Sequence, residues 1–191
     1  MNAPNKLSLL RILMIPIFCV CFYWGFKGHY LVSAIIFVVA ACTDFLDGYI
    51  ARKYNLVTDL GKFLDAIADK VLVLTALVLI ITQSSIINPI IGGVGVSIIL
   101  ARELMVSFFR MIAATKNKVI AADKSGKIKT TFQDICIAVF LVGANFPNWI
   151  VVKGYNVLNV VALVLFALSV ILTIYSGIEM VIKNKEVLKS K

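Results

Sequence analysis

Four aspartates are placed to do chemistry. Asp44 and Asp47 are three residues apart, beside Gly48 and Ala51, and Asp65 and Asp69 are four apart, with Gly61 four before Asp65. Residues three or four apart share one face of a helix. Each pair, set on a helix, therefore presents its carboxylates in one direction, and a short connection over about residues 53–60 folds the two faces together. Carboxylates gathered in a low-dielectric setting do not all stay ionised without counter-charge. No Lys or Arg falls on either acidic face, so hard divalent cations with oxygen ligands, Mg²⁺ or Mn²⁺, are the natural partners. Two such ions sharing a carboxylate suit displacement at phosphorus, because attacking and leaving oxygens are stabilised together. Gly48 and Gly61 remove side chains where a bulky phosphate ligand approaches backbone. Asp59 lies outside the spacing and reads as a helix-end charge, with Thr58 as the cap.

The elements that must hold these residues are membrane helices. The chain has 191 residues, of which 61% are hydrophobic and 15% charged, with a mean hydropathy of +0.97. A soluble domain carries roughly 45–50% apolar residues even with Gly counted. A single water-facing core of this size cannot hide the excess, which excludes soluble, disordered and disulfide-framework classes. Six apolar stretches, 7–26, 31–52, 61–82, 88–114, 130–146 and 155–182, are read against the ~20 residues a spanning helix needs. The first is longer than a signal-peptide core and runs straight into the second, so it reads as a retained helix. The expected fold is all-α: one integral membrane domain over residues 1–191, a bundle of six transmembrane helices with a polar, metal-containing cavity open to the cytoplasm.

The net charge is +9. Lys27 and Lys153 alone fall on the outer turns; the other 17 cations and all ten acids fall on the opposite side. That bias predicts both termini in the cytoplasm and assigns the basic surplus to orientation and anionic lipid rather than nucleic acid. Between Lys70 and Arg102 lie 31 uncharged residues, broken by Asn88-Pro89 and Gly92-Gly93. Two full spans need more than that, so the third and fourth helices carry Asp65, Asp69, Lys70, Arg102 and Glu103 into the membrane, facing one another or a wet cavity. Arg102 and Glu103 are also candidates for a structural pair. Arg102 and Arg110, two turns apart, are expected on one face. Cys19, Cys21, Cys42 and Cys136 lie in apolar stretches and read as packing residues. His29 reads as an exposed residue of an outer turn, far from the acids.

The segment from Asp44 to Asp69 resembles the signature of the CDP-alcohol phosphatidyltransferase family, D-x2-D-G-x2-A-R-x8-G-x3-D-x3-D. It matches at Asp44, Asp47, Gly48, Ala51, Arg52, Gly61, Asp65 and Asp69. Eight fixed positions over 26 residues make the likeness specific. The opening MNAPNKLSLLRI, and the stretches TDLGKFLDAIADK, ARELMVSFFR and IAADKSGKIKTTFQD, are similar to the bacterial phosphatidylglycerophosphate-synthase branch of that family. Ser8 stands where Thr is common and Ala66 where Pro is common; the first keeps the hydroxyl and the second only straightens the helix.

The resemblance implies a homodimeric membrane enzyme, in the bacterial plasma membrane, with its site facing the cytoplasm. It implies CDP-diacylglycerol as donor, sn-glycerol 3-phosphate as acceptor, and phosphatidylglycerophosphate and CMP as products. By the same resemblance Asp44, Asp47 and Asp65 hold two metal ions with Asp69 completing the site, and Asp69 is the general base toward the acceptor hydroxyl. Asn5, Ser8, Asp44, Gly48, Ala51, Arg52 and Gly61 line the CDP-diacylglycerol pocket. An acceptor phosphate needs cations nearby, and Arg110, Lys118, Lys127 and Lys129 are the candidates; lipid anchoring by the same basic stretch is the competing reading. Other acceptors within the family are phosphatidylglycerol (giving cardiolipin), inositol phosphate or serine. Outside it, intramembrane acids also suit a divalent-cation transporter, although all ten acids lie on the inner side.

Overall fold

The computed structural model describes residues 3–53, 59–116, 124–148, 151–152 and 155–185, with side chains described outside 3–6, 44–53, 59–60, 62, 66, 124, 152 and 155. Six helices account for nearly all of it: α1 (Ala3–Tyr23), α2 (His29–Lys53), α3 (Asp59–Ile81), α4 (Pro89–Thr115), α5 (Lys124–Asn145) and α6 (Val157–Lys183). The exception to an all-helical chain is a two-residue antiparallel pairing before α6, Val151–Val152 against Tyr155–Asn156.

Local chemistry sets the helix ends. Gly25 and Gly28 have φ of 75° and 91°, a region open to glycine at no steric cost, and they turn the chain from α1 into α2. His29 begins α2 rather than sitting in an exposed loop: it is half-buried, and its Nδ1 donates to the Phe22 carbonyl at 2.8 Å. Asn88 caps α4, its Oδ1 accepting from the Ile90 and Ile91 amides at 3.0 and 3.4 Å, with Pro89 at the first helical position where a missing N–H costs nothing. Asn156 does two jobs before α6. Its Oδ1 accepts from the Leu158 amide at 2.9 Å, and its Nδ2 donates to the carbonyls of Phe146 at 3.1 Å and Pro147 at 3.0 Å.

Helix α1 packs on α2 and α3, α5 packs on α2 and α6, and α4 closes the bundle against α6 and α3. The main core joins Phe18 and Phe22 of α1, Phe37 of α2, Leu72, Leu77 and Ile80 of α3, Ile137 and Phe140 of α5, and Phe166 of α6. Cys136 is fully buried in it, and all four cysteines are free thiols. Gly95 lets α4 approach α6: a Cβ there would lie 2.5 Å from Phe166 Cζ. Much of the described surface of α4 and α6 is apolar. Ile90, Ile91, Val94, Leu104, Phe108 and Met111 of α4, and Val164, Leu168, Ile171, Tyr175, Ile178 and Ile182 of α6, are all exposed. Among the described residues α4 and α6 are long and apolar enough to cross a membrane, and Leu7–Tyr23 and His29–Thr43 are shorter apolar stretches.

Two expectations about positions are corrected. The fifth helix begins at Lys124 and not at residue 130, so Lys127 and Lys129 sit on a helix rather than in a connecting segment; lysine is a good helix former, and hydropathy alone misses its first two turns. Arg102 and Arg110 do not share a face. Arg102 turns into α6, whereas Arg110 is exposed; eight residues overshoot two full turns by about 80°.

Candidate active site

The carboxylates of the signature divide between α2 and α3. Asp44, Asp47, Gly48, Ala51 and Arg52 all fall on the last turns of α2, and their side chains lie outside the described set, as does that of Asn5 on α1. Lys118 and the proposed cap Thr58 lie outside the described residues altogether. Gly61, Asp65 and Asp69 follow one another along α3 at one-turn intervals, each partly accessible.

Asp65 accepts from Arg11 Nη1 at 3.3 Å, and the Arg11 side chain is 0% exposed. Counter-charge for the acidic face thus comes from α1, which the spacing within residues 44–70 could not reveal. The signal was nonetheless present, since a lone arginine inside the apolar run LSLLRILMI has to find a partner. Ser8, one turn before Arg11 on α1, is buried. The two described aspartates offer oxygen donors only, and both remain partly open despite the arginine. That donor chemistry fits Mg²⁺ or Mn²⁺.

Asp69 faces a second arrangement, a cavity of about 20 Å³ between α3, α4 and α5, with room for one water-sized group. Its polar lining is Asp69 and Lys70 from α3, Glu103 from α4, and Lys129, Thr130 and Gln133 from α5, with Val73, Leu74 and Ile99 as its apolar wall. Charged side chains of α3 and α4 line the same cavity, Asp69 and Lys70 opposite Glu103. Lys70 Nζ donates to Ser107 Oγ, and Ser107 Oγ donates to the Glu103 carbonyl at 2.7 Å. Glu103 Oε1 takes two cations, Arg102 Nη1 at 2.9 Å and Lys129 Nζ at 2.6 Å. All three side chains are withdrawn from the surface, at 12% exposure for Arg102, 14% for Glu103 and 2% for Lys129. Arg102 Nη2 also donates to Ser176 Oγ of α6 at 3.0 Å. Its path along α6 depends on Gly177, where a Cβ would lie 3.2 Å from Arg102 Cγ.

The expected acceptor cations therefore separate into two kinds. Lys129 is inside, bonded to Glu103, whereas Arg110 on α4 and Lys127 on α5 are exposed. Arg102 and Glu103 do form the structural pair that the sequence offered, with Lys129 added to it; Arg11 as the partner of Asp65 and Gln133 in the cavity wall are site residues that the spacing argument did not find.

The model of the CDP-alcohol phosphatidyltransferase family matches residues 1–176. A protein of Bacillus subtilis (strain 168) is 38% identical, over 99% of this chain and 98% of its own length. Relatives from Rickettsia bellii (strain RML369-C) and Salmonella paratyphi A (strain ATCC 9150 / SARB42) are 35% and 36% identical. They cover 92% and 93% of this chain and 91% and 92% of their own lengths. All three bear the name CDP-diacylglycerol–glycerol-3-phosphate 3-phosphatidyltransferase.

Proposed function

The chain belongs to the CDP-alcohol phosphatidyltransferase family, and from that we propose that it transfers the phosphatidyl group of CDP-diacylglycerol to sn-glycerol 3-phosphate, giving phosphatidylglycerophosphate and CMP. The observation that carries the acceptor is the name shared by relatives aligned over nearly the whole chain. The convergence of Asp69, Lys70, Glu103 and Lys129 on one cavity supports chemistry beside Asp69 on α3.

Asp44, Asp47, Asp65 and Asp69 would hold two Mg²⁺ or Mn²⁺ ions, which would supply positive charge beside the donor's pyrophosphate. Asn5, Ser8, Gly48, Ala51, Arg52 and Gly61 line the donor pocket, the glycines leaving backbone open to phosphate. Asp69 accepts the proton of the acceptor's attacking hydroxyl. The freed oxygen bonds to the phosphorus that carries diacylglycerol, the bond from that phosphorus to the bridging oxygen breaks, and CMP leaves with the electron pair. Arg110, Lys118, Lys127 and Lys129 are the cations toward the acceptor phosphate. Lys129, already matched by Glu103, is the weakest contributor among them.

The six helices span the bacterial plasma membrane as a homodimer, with both termini and the site on the cytoplasmic side. The cation bias and the apolar outer surfaces of α4 and α6 support this placement. The test is transfer of radiolabelled glycerol 3-phosphate into lipid by purified protein in detergent with CDP-diacylglycerol and Mg²⁺, beside Asp69→Asn and a chelator control. Label that needs both Asp69 and the metal upholds the reading. Release of CMP only with phosphatidylglycerol, inositol phosphate or serine moves the acceptor. No CMP release with any of them removes the transferase.

A further inference from the structure

Gln133 is a buried amide in search of a ligand. It lies on α5 one turn beyond Lys129 and is 1% exposed, and neither its Nε2 nor its Oε1 has a hydrogen-bond partner among the described residues. Burying an amide with donor and acceptor both unmet is unfavourable, so an occupant of the cavity that meets both is strongly favoured. The neighbouring cations are engaged: Lys129 by Glu103, and Lys70 by Ser107.

The shape of the unmet demand names the occupant. A phosphate oxygen only accepts and leaves Gln133 Oε1 without a donor, and an apolar group meets neither atom. A group that both donates and accepts, a hydroxyl or the water it would displace, can meet the amide's N–H and its carbonyl oxygen together. The space is that of one water-sized group, and it opens on Asp69, the carboxylate assigned to the attacking hydroxyl. An acceptor with two adjacent hydroxyls, one at Asp69, brings its second into reach of the same cavity.

We propose that Gln133 determines acceptor specificity by hydrogen-bonding the second, non-attacking hydroxyl of the acceptor in the cavity between α3, α4 and α5. The inference rests on the acceptor being glycerol 3-phosphate, and its test separates the two. Transfer is measured with sn-glycerol 3-phosphate and with 3-hydroxypropyl phosphate, which lacks only the 2-hydroxyl, in the wild-type protein and in Gln133→Met. The wild type should prefer glycerol 3-phosphate by roughly tenfold or more in kcat/KM, since a site built for a hydroxyl rejects the analogue without it. Gln133→Met, similar in length but without donor or acceptor, should abolish that preference and leave the deoxy acceptor within about twofold of wild type.

A wild-type protein indifferent to the 2-hydroxyl overturns the proposal. So does a Gln133→Met variant that loses equally with both acceptors, because the amide then serves a resident water or the fold. Gln133→Asn, with its amide drawn back, should give an intermediate preference, and a wild-type preference retained in either variant also overturns the proposal. Failure of wild type to use either acceptor, while another alcohol releases CMP, is recognisable as failure of the acceptor reading, and the Gln133 proposal falls with it.

Discussion

Glu103→Gln should be among the most damaging single-atom changes in this protein, and for a reason worked from charge. Glu103 Oε1 holds Arg102 at 2.9 Å and Lys129 at 2.6 Å in a setting where none of the three side chains is more than 14% exposed. Removing the carboxylate leaves two withdrawn cations facing a neutral amide and each other. Breaking a buried pair by deleting one partner costs about 3–5 kcal/mol, and a second stranded cation places Glu103→Gln toward the upper end. Lys129→Met is different, because Arg102 and Glu103 remain paired; its cost should stay under about 2 kcal/mol. The double variant should be more stable than Glu103→Gln alone, a coupling of at least about 1 kcal/mol. Reversible unfolding in mixed micelles, followed by the fluorescence of Trp24 and Trp149, gives all three values. Losses that simply add, or a Glu103→Gln protein within about 0.5 kcal/mol of wild type, would show that the three charges are not energetically one unit.

Three further outcomes follow from named contacts. Arg11→Met removes the fully buried guanidinium that meets Asp65; the carboxylate left behind is 46% exposed and stays solvated, so the loss should be only about 1 kcal/mol without metal. Mg²⁺ or Mn²⁺ should then raise the melting temperature more in the variant than in wild type, and equal shifts would sink the idea. Gly95→Ala drives a Cβ to 2.5 Å from Phe166 Cζ and should lose about 1–3 kcal/mol, recovered in part by Phe166→Leu, with melting in detergent as the readout. Arg110→Ala removes an exposed side chain. Stability should hold within about 0.5 kcal/mol while KM for glycerol 3-phosphate rises severalfold, and an unchanged KM would take Arg110 out of the acceptor site.

Much of the architecture could be read in advance because the dominant signals are local. The length of apolar runs marks the helices, Asn88-Pro89 marks the start of α4, and the 31 uncharged residues after Lys70 already require charge at the inner ends of α3 and α4. The start of α5 escapes for an equally local reason: its first turns are basic, and hydropathy does not report helical turns made of lysines. What could not be read is which helix faces which. Arg11 and Asp65 are 54 residues apart, and Glu103 and Lys129 are 26 apart. No periodicity within one segment contains either pairing. Gln133 was invisible for the complementary reason, since a single amide in α5 becomes informative only once its neighbours are known to be engaged.

The two kinds of cation among the acceptor candidates imply a division of labour that salt can expose. Inside, Arg102 and Lys129 share Glu103, and Lys70 is held at Ser107; their positions are fixed by the bundle and their charge is largely committed. An incoming phosphate therefore gains most from cations outside that network, and Arg110 and Lys127 are exposed. Exposed charges are screened over a Debye length of about 8–10 Å near physiological ionic strength, whereas buried ones are screened far less. Raising the salt from low to several hundred millimolar should then raise KM for the acceptor while kcat holds, because the Glu103–Lys129 network beside Asp69 is withdrawn from the surface. Initial rates across a salt series in uncharged detergent separate the two constants. Equal suppression of kcat and KM effects in wild type and Arg110→Ala would place the phosphate among the buried cations, and Lys129 would have to leave Glu103 to meet it.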